Sequence, residues 1–338
     1  MKFAVKAWSN GKARTGFLQL GNCPAAIDTP ALLLSTSKGL PNFISPDLLP
    51  SLPSPDSHIL QFSPLHFLEG PSSKTISSIG GLQHLLGLHE YGFAAVARDS
   101  VQCLPQCDAT NKFGASFETT CGRRLIRPVE YIEMISSMKP DIWASLADEV
   151  PSWVSDKRNK TSVDRTVKWL DECITLNSTG GAVFGAIVGG NDLEERQRCA
   201  VEVVKRNVSG YWIGGFGFGE SMDERPSLLD AVTDVLPEEM PRMICGLGLP
   251  DIFKALWKTS DPRRVNILIW IMAFGLLNYS IMQGKIPNEC LLPSVCPLCL
   301  KYGEDLLHLF VLCPYYFNCW RSIFFILMWF GLSMAPLA

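Results

Sequence analysis

The chain has 338 residues, with 30 Lys and Arg against 33 Asp and Glu, a net charge of −3. That length holds one large domain or a domain plus a module, and the near-neutral balance excludes a global polycationic field for bulk nucleic-acid binding. Twelve cysteines follow an N-terminus, MKFAVKAWSNGKARTGF, that lacks an unbroken apolar core; the expectation is a reduced intracellular protein, not a secreted disulfide scaffold.

The first 40 residues read as short strands over 3–8, 15–20 and 31–34, the last following Asp28-Thr29-Pro30. Residues 41–75 are rich in Pro and Ser and read as surface loop with a brief helical segment at most. His58 and His66 fall there, and no second ligand at a metal-like spacing accompanies them. A short helix is expected over 82–88 and a strand over 93–97, ending at Arg98-Asp99-Ser100. Cys103 and Cys107 flank Pro105 and read as unpaired thiols more readily than as a metal site. Residues 113–117 and 123–125 suggest a hairpin turning at Thr119-Thr120-Cys121-Gly122. A helix over 128–138 and a strand over 142–146 then lead to Ala147-Asp148-Glu149-Val150-Pro151. At a strand exit, Asp148 and Glu149 suit a ligand-binding carboxylate and its neighbour, and equally an N-cap and first-turn acid. Residues 155–168 are charged and polar and lead into a helix over 169–176.

From 181 to 250 short apolar runs (183–188, 211–213, 243–245) alternate with amphipathic segments of helical period, each run closing on Gly or Pro. That alternation signals βα units on a parallel sheet, whose sites lie at the C-terminal ends of strands. Gly189-Gly190 and Gly214-Gly215 occupy two such ends, where a flat ligand could approach bare backbone. They are also the default residues of a βα turn.

Several pieces line up in one order: Arg14-Thr15-Gly16, Asp28-Thr29-Pro30-Ala31, Ala147-Asp148-Glu149-Val150-Pro151, the run from Phe184 to Gly190, the run from Tyr211 to Glu220, and the run from Pro241 to Gly248. This set resembles the tRNA-guanine transglycosylase family, and more closely its non-catalytic accessory subunits than its catalytic members. The resemblance covers most of residues 1–250. It implies a (β/α)8 barrel of TIM type and the exchange of guanine for queuine at the tRNA wobble position. It also implies a heterodimer with a catalytic queuine tRNA-ribosyltransferase subunit, with tRNA engaged through the complex. The family's DSGGFQ pocket motif falls on Arg98 to Cys103, where Asp99 and Ser100 are kept and the double glycine is not. The family's base-recognising aspartate falls on Asp148, and the glycines that pack on the base fall on Gly214 and Gly215. Its pocket glutamine, just before Gly189-Gly190, becomes Val188, which replaces a hydrogen-bonding amide with an alkyl group. The family's nucleophilic aspartate follows the GLGLP run, and here the sequence diverges just after Pro250. The resemblance therefore implies no catalysis by this chain alone. By length, the expected architecture is an incomplete barrel with extra N-terminal strands, lacking its last βα units and the family's own zinc site.

Residues 251–338 carry a net charge of +2 and residues 1–250 a net of −5, and apolar and aromatic residues crowd the final ninety positions. A domain boundary near Pro250 follows. Within the second part Cys296, Cys299, His308 and Cys313 form a CCHC set whose spacing suits tetrahedral zinc, with Glu304-Asp305 placed either to cap the helix of His308 or to orient the imidazole. Residues 251–325 resemble the zinc-binding region at the C-terminal end of plant retroelement reverse transcriptases, which implies a small, mostly helical zinc module. Residues 265–283 lack charge over 19 positions and residues 322–338 are apolar. Either could pass for a membrane span, but Asn266, Asn278 and Gln283 are costly there, the resemblance implies that the first stretch is a buried helix, and no integral membrane insertion is expected.

The reading that follows is a non-catalytic accessory subunit of the queuine-inserting transglycosylase, cytoplasmic and, by family, at the mitochondrial outer surface. The alternative is a nucleic-acid-binding zinc protein with the partial barrel as scaffold. The abrupt change after Pro250 also fits two unrelated coding pieces joined there.

Overall fold

The computed structural model describes residues 1–8, 13–21, 23, 26–41, 45–51, 58–99, 103–177, 181–221 and 223–244. The chain divides into two units, Met1–Ile252 and Phe253–Ala338. Ser100, the set Cys296, Cys299, His308 and Cys313, and both apolar stretches at 265–283 and 322–338 lie outside the described residues.

In chain order the strands are β1 (Lys2–Trp8), β2 (Arg14–Gln19), β3 (Ile27–Thr29), β4 (Leu34–Ser35), β5 (Ile59–Phe62), β6 (Gly92–Ala95), β7 (Leu104–Pro105), β8 (Ala115–Thr119), β9 (Gly122–Ile126), β10 (Ile142–Ala144), β11 (Ala182–Ile187), β12 (Gly210–Ile213) and β13 (Arg242–Ile244). The helices are α1 (Ser73–Ile79), α2 (Leu82–Leu86), α3 (Pro128–Met138), α4 (Asp156–Leu176), α5 (Leu193–Val204) and α6 (Arg225–Thr233). Strands β4, β5, β6, β10, β11, β12 and β13 form one seven-stranded sheet, all parallel and neighbours in chain order. An all-parallel sheet whose strands never skip a neighbour is the order of a (β/α)8 barrel wall. Among the described residues its edge strands β4 and β13 are not paired with each other.

The two faces of this sheet carry different side chains. Phe93, Trp143, Val183, Ile187, Tyr211 and Ile213 belong to the large core shared with the helices. The alternate residues Ala94, Ile142, Ala144, Phe184, Ala186 and Trp212 form a separate cluster with Leu18, Leu20 and Ile27 from the N-terminal strands. Period-two alternation thus assigns one face to the helices and the other to the interior. The antiparallel sheet β1-β2-β3 covers the end where the parallel strands begin: a Cβ on Gly92, the first residue of β6, would lie 2.3 Å from Leu20 Cδ1. Arg14 of β2 also donates to the Met240 carbonyl, just before β13, at 2.5 Å. Inside, Gly210 leaves room for the Phe184 ring, since a Cβ there would sit 2.0 Å from Cε1.

Local chemistry accounts for the helices that frame the opposite end. Pro128 starts α3, Glu130 reaches back to accept from the Arg127 N–H at 3.0 Å, and Tyr131, Ile132, Ile135 and Met138 make its buried stripe. Ser155 caps α4 by accepting from the Arg158 N–H at 3.3 Å, and Asp192 caps α5 by accepting from Glu194 and Glu195. The second antiparallel sheet, β7-β8-β9, is inserted between β6 and α3.

Three expectations change. The Pro/Ser-rich stretch at 41–75 contains β5, a strand buried between β4 and β6, and His66 is buried. Of the strand expected over 31–34 only Leu34 lies in one, β4, while β3 ends at Thr29, before Pro30, which offers no N–H to continue that ladder. The polar segment at 155–168 is the first half of α4, whose inward face is built from Asn159, Ser162, Val163 and Thr166. With β4 and β5 recovered, residues 1–244 already supply seven parallel strands.

Candidate functional site

Asp99, Asp148, Gly189, Gly190, Gly214 and Gly215 all follow the last residues of parallel strands, at the exits of β6, β10, β11 and β12 respectively. The fold therefore gathers the described candidates on one end of the sheet, the end where such sheets place their sites.

Asp148 is held by two arginines. Its side chain is 0% exposed. Arg158 Nη2 donates to Oδ1 at 2.7 Å and Nη1 to Oδ2 at 2.9 Å, while Arg165 Nη1 donates to Oδ2 at 3.1 Å. Neither Asp148 nor Glu149 caps α4; that role falls to Ser155. Arg158 and Arg165 stand seven residues apart on α4, two turns along one face. Each also reaches the inserted segment, Arg158 through the Cys107 carbonyl at 3.0 Å and Arg165 through the Thr110 carbonyl at 3.3 Å.

Glu149 makes a second closed arrangement. Its Oε2 accepts from Arg98 Nη1 at 2.8 Å and from the Gly215 N–H at 2.8 Å. Arg98 Nη1 also donates to the Phe216 carbonyl at 2.9 Å, and its guanidinium lies 3.9 Å from the Phe218 ring centroid. One buried ion pair thus ties the exits of β6, β10 and β12 together.

Arg196, on the buried stripe of α5, makes the third. Its Nε donates to the Gly190 carbonyl at 2.7 Å, Nη1 to Gly214 at 3.2 Å and Nη2 to Gly215 at 3.1 Å. The guanidinium stacks 4.2 Å from the Phe216 ring centroid. Burial pulls its pKa down to about 10, against the nearby charges of Glu220, Cys199 and Glu149. Gly189 adopts a φ of +153°, and a Cβ there would press on the Arg196 backbone nitrogen at 2.6 Å. Asn159 of α4 completes this turn by donating to the Gly189 carbonyl at 2.8 Å. Beyond it, Glu220 folds the 216–220 loop on itself by accepting from the N–H groups of Gly217 and Phe218. Burial raises its pKa, but those amides and Arg225 outweigh it and hold the carboxyl below its ordinary range.

At the exit of β5, His66 is buried, and its Nδ1 accepts from the Lys38 N–H at 3.2 Å. Its Nε2 has no hydrogen-bond partner and lies 3.9 Å from Asp99 Oδ2. Burial lowers the imidazole pKa, with the Asp99 charge opposing and that of Lys38 adding to the shift. Among the described residues no group of three or more His, Cys, Asp or Glu is placed to hold a metal.

Sequence reasoning identified the carboxylates and glycines but missed the arginines that engage them. Two signals were available: Arg196 shares the 3–4 spacing of Cys199, Ala200 and Val203, and Arg158 and Arg165 keep a seven-residue interval.

A family model described as queuine tRNA-ribosyltransferase matches residues 9–258. A Xenopus tropicalis protein named queuine tRNA-ribosyltransferase accessory subunit 2 is 33% identical over 271 residues, covering 74% of this chain and 62% of the relative. A Trichoplax adhaerens protein of the same name is 30% identical over 247 residues, covering 71% and 66%. A Caenorhabditis elegans protein named as the catalytic subunit is 27% identical over 316 residues, covering 88% and 77%. The chain thus spans a little under two thirds of the length of the first two relatives.

Proposed function

The chain belongs to the queuine tRNA-ribosyltransferase family, and from that membership we propose that it is the non-catalytic subunit of a heterodimeric tRNA-guanine transglycosylase. Its partner would be a catalytic subunit, and tRNA would be engaged through the complex. The observation that carries this reading is the state of Asp148. The residue at the family's base-recognising position has both carboxylate oxygens engaged by internal guanidinium groups. Three hydrogen bonds from two arginines already occupy this fully buried carboxylate, which leaves little acceptor capacity for an incoming base. Val188, at the place of the pocket amide, is buried and offers only an alkyl side chain. The Xenopus tropicalis and Trichoplax adhaerens relatives, both at 30% identity or above, carry the accessory-subunit name.

The test is reconstitution. Purified alone, the chain should not incorporate labelled guanine into tRNA. Co-expressed with a catalytic subunit, it should co-elute with that subunit and the complex should exchange guanine. Exchange by the isolated chain at the rate of the complex would refute the reading, and so would failure to co-elute.

The same proposal extends to residues 251–338 as a zinc module joined to an incomplete barrel, the metal held by Cys296, Cys299, His308 and Cys313. Metal analysis should find one bound zinc, lost in Cys296→Ala and in His308→Ala. A cytoplasmic location at the mitochondrial surface is proposed from family membership alone. Among the described residues no helix is long and apolar enough to cross a membrane.

A further inference from the structure

His66 stands between two neighbours that want opposite protonation states. Its Nδ1 accepts from the Lys38 N–H at 3.2 Å. A neutral imidazole accepts at one nitrogen only, so its proton sits on Nε2. That nitrogen has no hydrogen-bond partner and lies 3.9 Å from Asp99 Oδ2, too far for a hydrogen bond. A second proton changes both contacts. Nδ1 then carries a hydrogen and can no longer accept from Lys38, while the imidazolium is drawn to the carboxylate. Closing the gap to an ordinary charged hydrogen bond takes a shift of about 1 Å. We propose that His66 is a proton-operated latch: neutral, it holds the turn after β4, and charged, it releases that turn and closes on Asp99 at the exit of β6.

The turn is one that needs holding. Lys38 adopts a φ of +52°, a left-handed conformation that a residue with a side chain rarely takes, and Gly39 follows at +88°. Ser37 and Leu40 close it by exchanging backbone hydrogen bonds at 2.9 and 3.1 Å. Beyond these, the His66 ring holds the Lys38 N–H, and the Lys38 ammonium donates to the Gly70 carbonyl at 3.1 Å. His66 is itself placed by the 3-10 turn Pro64–Phe67 that follows β5, its side chain 2% exposed and its N–H donating to the Ser63 carbonyl at 3.1 Å. Strand β5 lies between β4 and β6 in the sheet, so the ring spans the exits of its two neighbours. Two charged groups face it: Lys38 from the β4 side opposes the second proton, and Asp99 from the β6 side favours it. The Cys103 thiol beside Asp99, pushed up to about 12 by burial, stays neutral. Burial keeps the ring uncharged at neutral pH, so the latch opens only as the pH turns acid. None of this depends on whether the chain pairs with a catalytic subunit.

The experiment follows the full-length chain from pH 7.5 to 4.5, with circular dichroism to show that it stays folded. NMR of the histidine ring protons gives the His66 midpoint. Amide hydrogen exchange, corrected for its intrinsic pH dependence, gives the protection of Lys38. In the wild type the midpoint should fall below 6.5. Protection of Lys38 should drop about fivefold with that same midpoint, the scale of one backbone hydrogen bond. Asp99→Asn removes the attracting charge and should lower the midpoint by about one unit or more, taking the loss of protection with it. His66→Gln should leave Lys38 protection independent of pH. A His66 that titrates without changing Lys38 protection would overturn the proposal, as would a midpoint unmoved in Asp99→Asn. A pH-dependent loss that persists in His66→Gln would also overturn it, because another group would then be responsible. So would unfolding before His66 takes up its proton.

Discussion

Arg196→Met tests whether the glycine turns at the exits of β11 and β12 are held by one guanidinium. The side chain is fully buried and donates to three carbonyls, those of Gly190, Gly214 and Gly215. Those glycines are buried too, so water cannot replace the lost donors. At about 2 kcal/mol per stranded carbonyl the loss is about 6 kcal/mol. Against it stands relief from burying a charge. The fall of the Arg196 pKa from 12.5 to about 10 corresponds to about 3 kcal/mol that methionine no longer bears. The net expectation is destabilisation of about 3 kcal/mol. For a unit of this size that lowers Tm by about 6–12 °C. Thermal melts followed by circular dichroism measure it, and native-state hydrogen exchange should show faster exchange at Gly214 and Gly215. A Tm within about 2 °C of wild type would mean that desolvation cancels the hydrogen bonds and that the turns hold without the clamp.

Three further outcomes follow from the same geometry. Burial keeps the His66 imidazole below its ordinary 6.5 in the folded chain, so only the unfolded chain takes up this proton readily as pH falls through 6.5. The contribution is fully present above 6.5 and is lost below it by up to about 1.4 kcal/mol per pH unit; urea melts of His66→Gln between pH 7 and 5.5 should be flatter than wild type, and parallel profiles would contradict this. Burial pushes the thiols of Cys103 and Cys173 up to about 12 and those of Cys23 and Cys199 to about 11, so mass mapping with a maleimide should label these four only after denaturant. Cys107 and Cys121, both only partly buried, should react first among the described cysteines, and equal native rates at Cys103 and Cys121 would refute the packing. Gly210→Ala should cost about 1–3 kcal/mol by driving a methyl into the Phe184 ring, and Phe184→Leu in the same chain should recover part of it. Strict additivity of the two changes would show that they do not touch.

The βα alternation after residue 181 was legible because each apolar run is short and bounded by Gly or Pro, and the runs at 183–188 and 211–213 coincide with β11 and β12 to within a residue. β5 was not legible. Only four residues long and buried on both faces, it shows no alternation, and the prolines around it dominate any reading by composition. α4 was legible only where its stripe turns apolar, at Trp169, Leu170 and Cys173. Its first half buries Asn159, Ser162 and Thr166, residues whose polarity hides helical period from a hydrophobicity count. The site divides in the same way. Carboxylates and glycines at strand ends announce themselves by position, whereas arginine is ordinarily a surface residue. Nothing short of three-dimensional placement shows that Arg98, Arg158, Arg165 and Arg196 turn inward.

That placement changes what the presence of Asp148 means. An aspartate at the exit of a parallel strand is naturally taken as a ligand-binding group. In this chain the same aspartate is the shared counter-charge of two guanidinium groups that point at it, each only about a fifth exposed. Removing the acid would leave two like charges facing each other with little water to screen them. Breaking a buried pair of this kind costs on the order of 3–5 kcal/mol, reduced here by the exposure of the arginines. An acid at 148 is therefore required by electrostatics even where no ligand is ever bound. The neighbouring Glu149 shows the same logic with a different partner, since Arg98 and the Gly215 amide both bond its Oε2. Val188 carries the opposite sign: its backbone N–H reaches the Cys199 sulfur at 3.4 Å, and its side chain offers a base nothing polar. A buried carboxylate that faces guanidinium groups is thus no evidence by itself that a ligand binds, because the fold alone accounts for its charge.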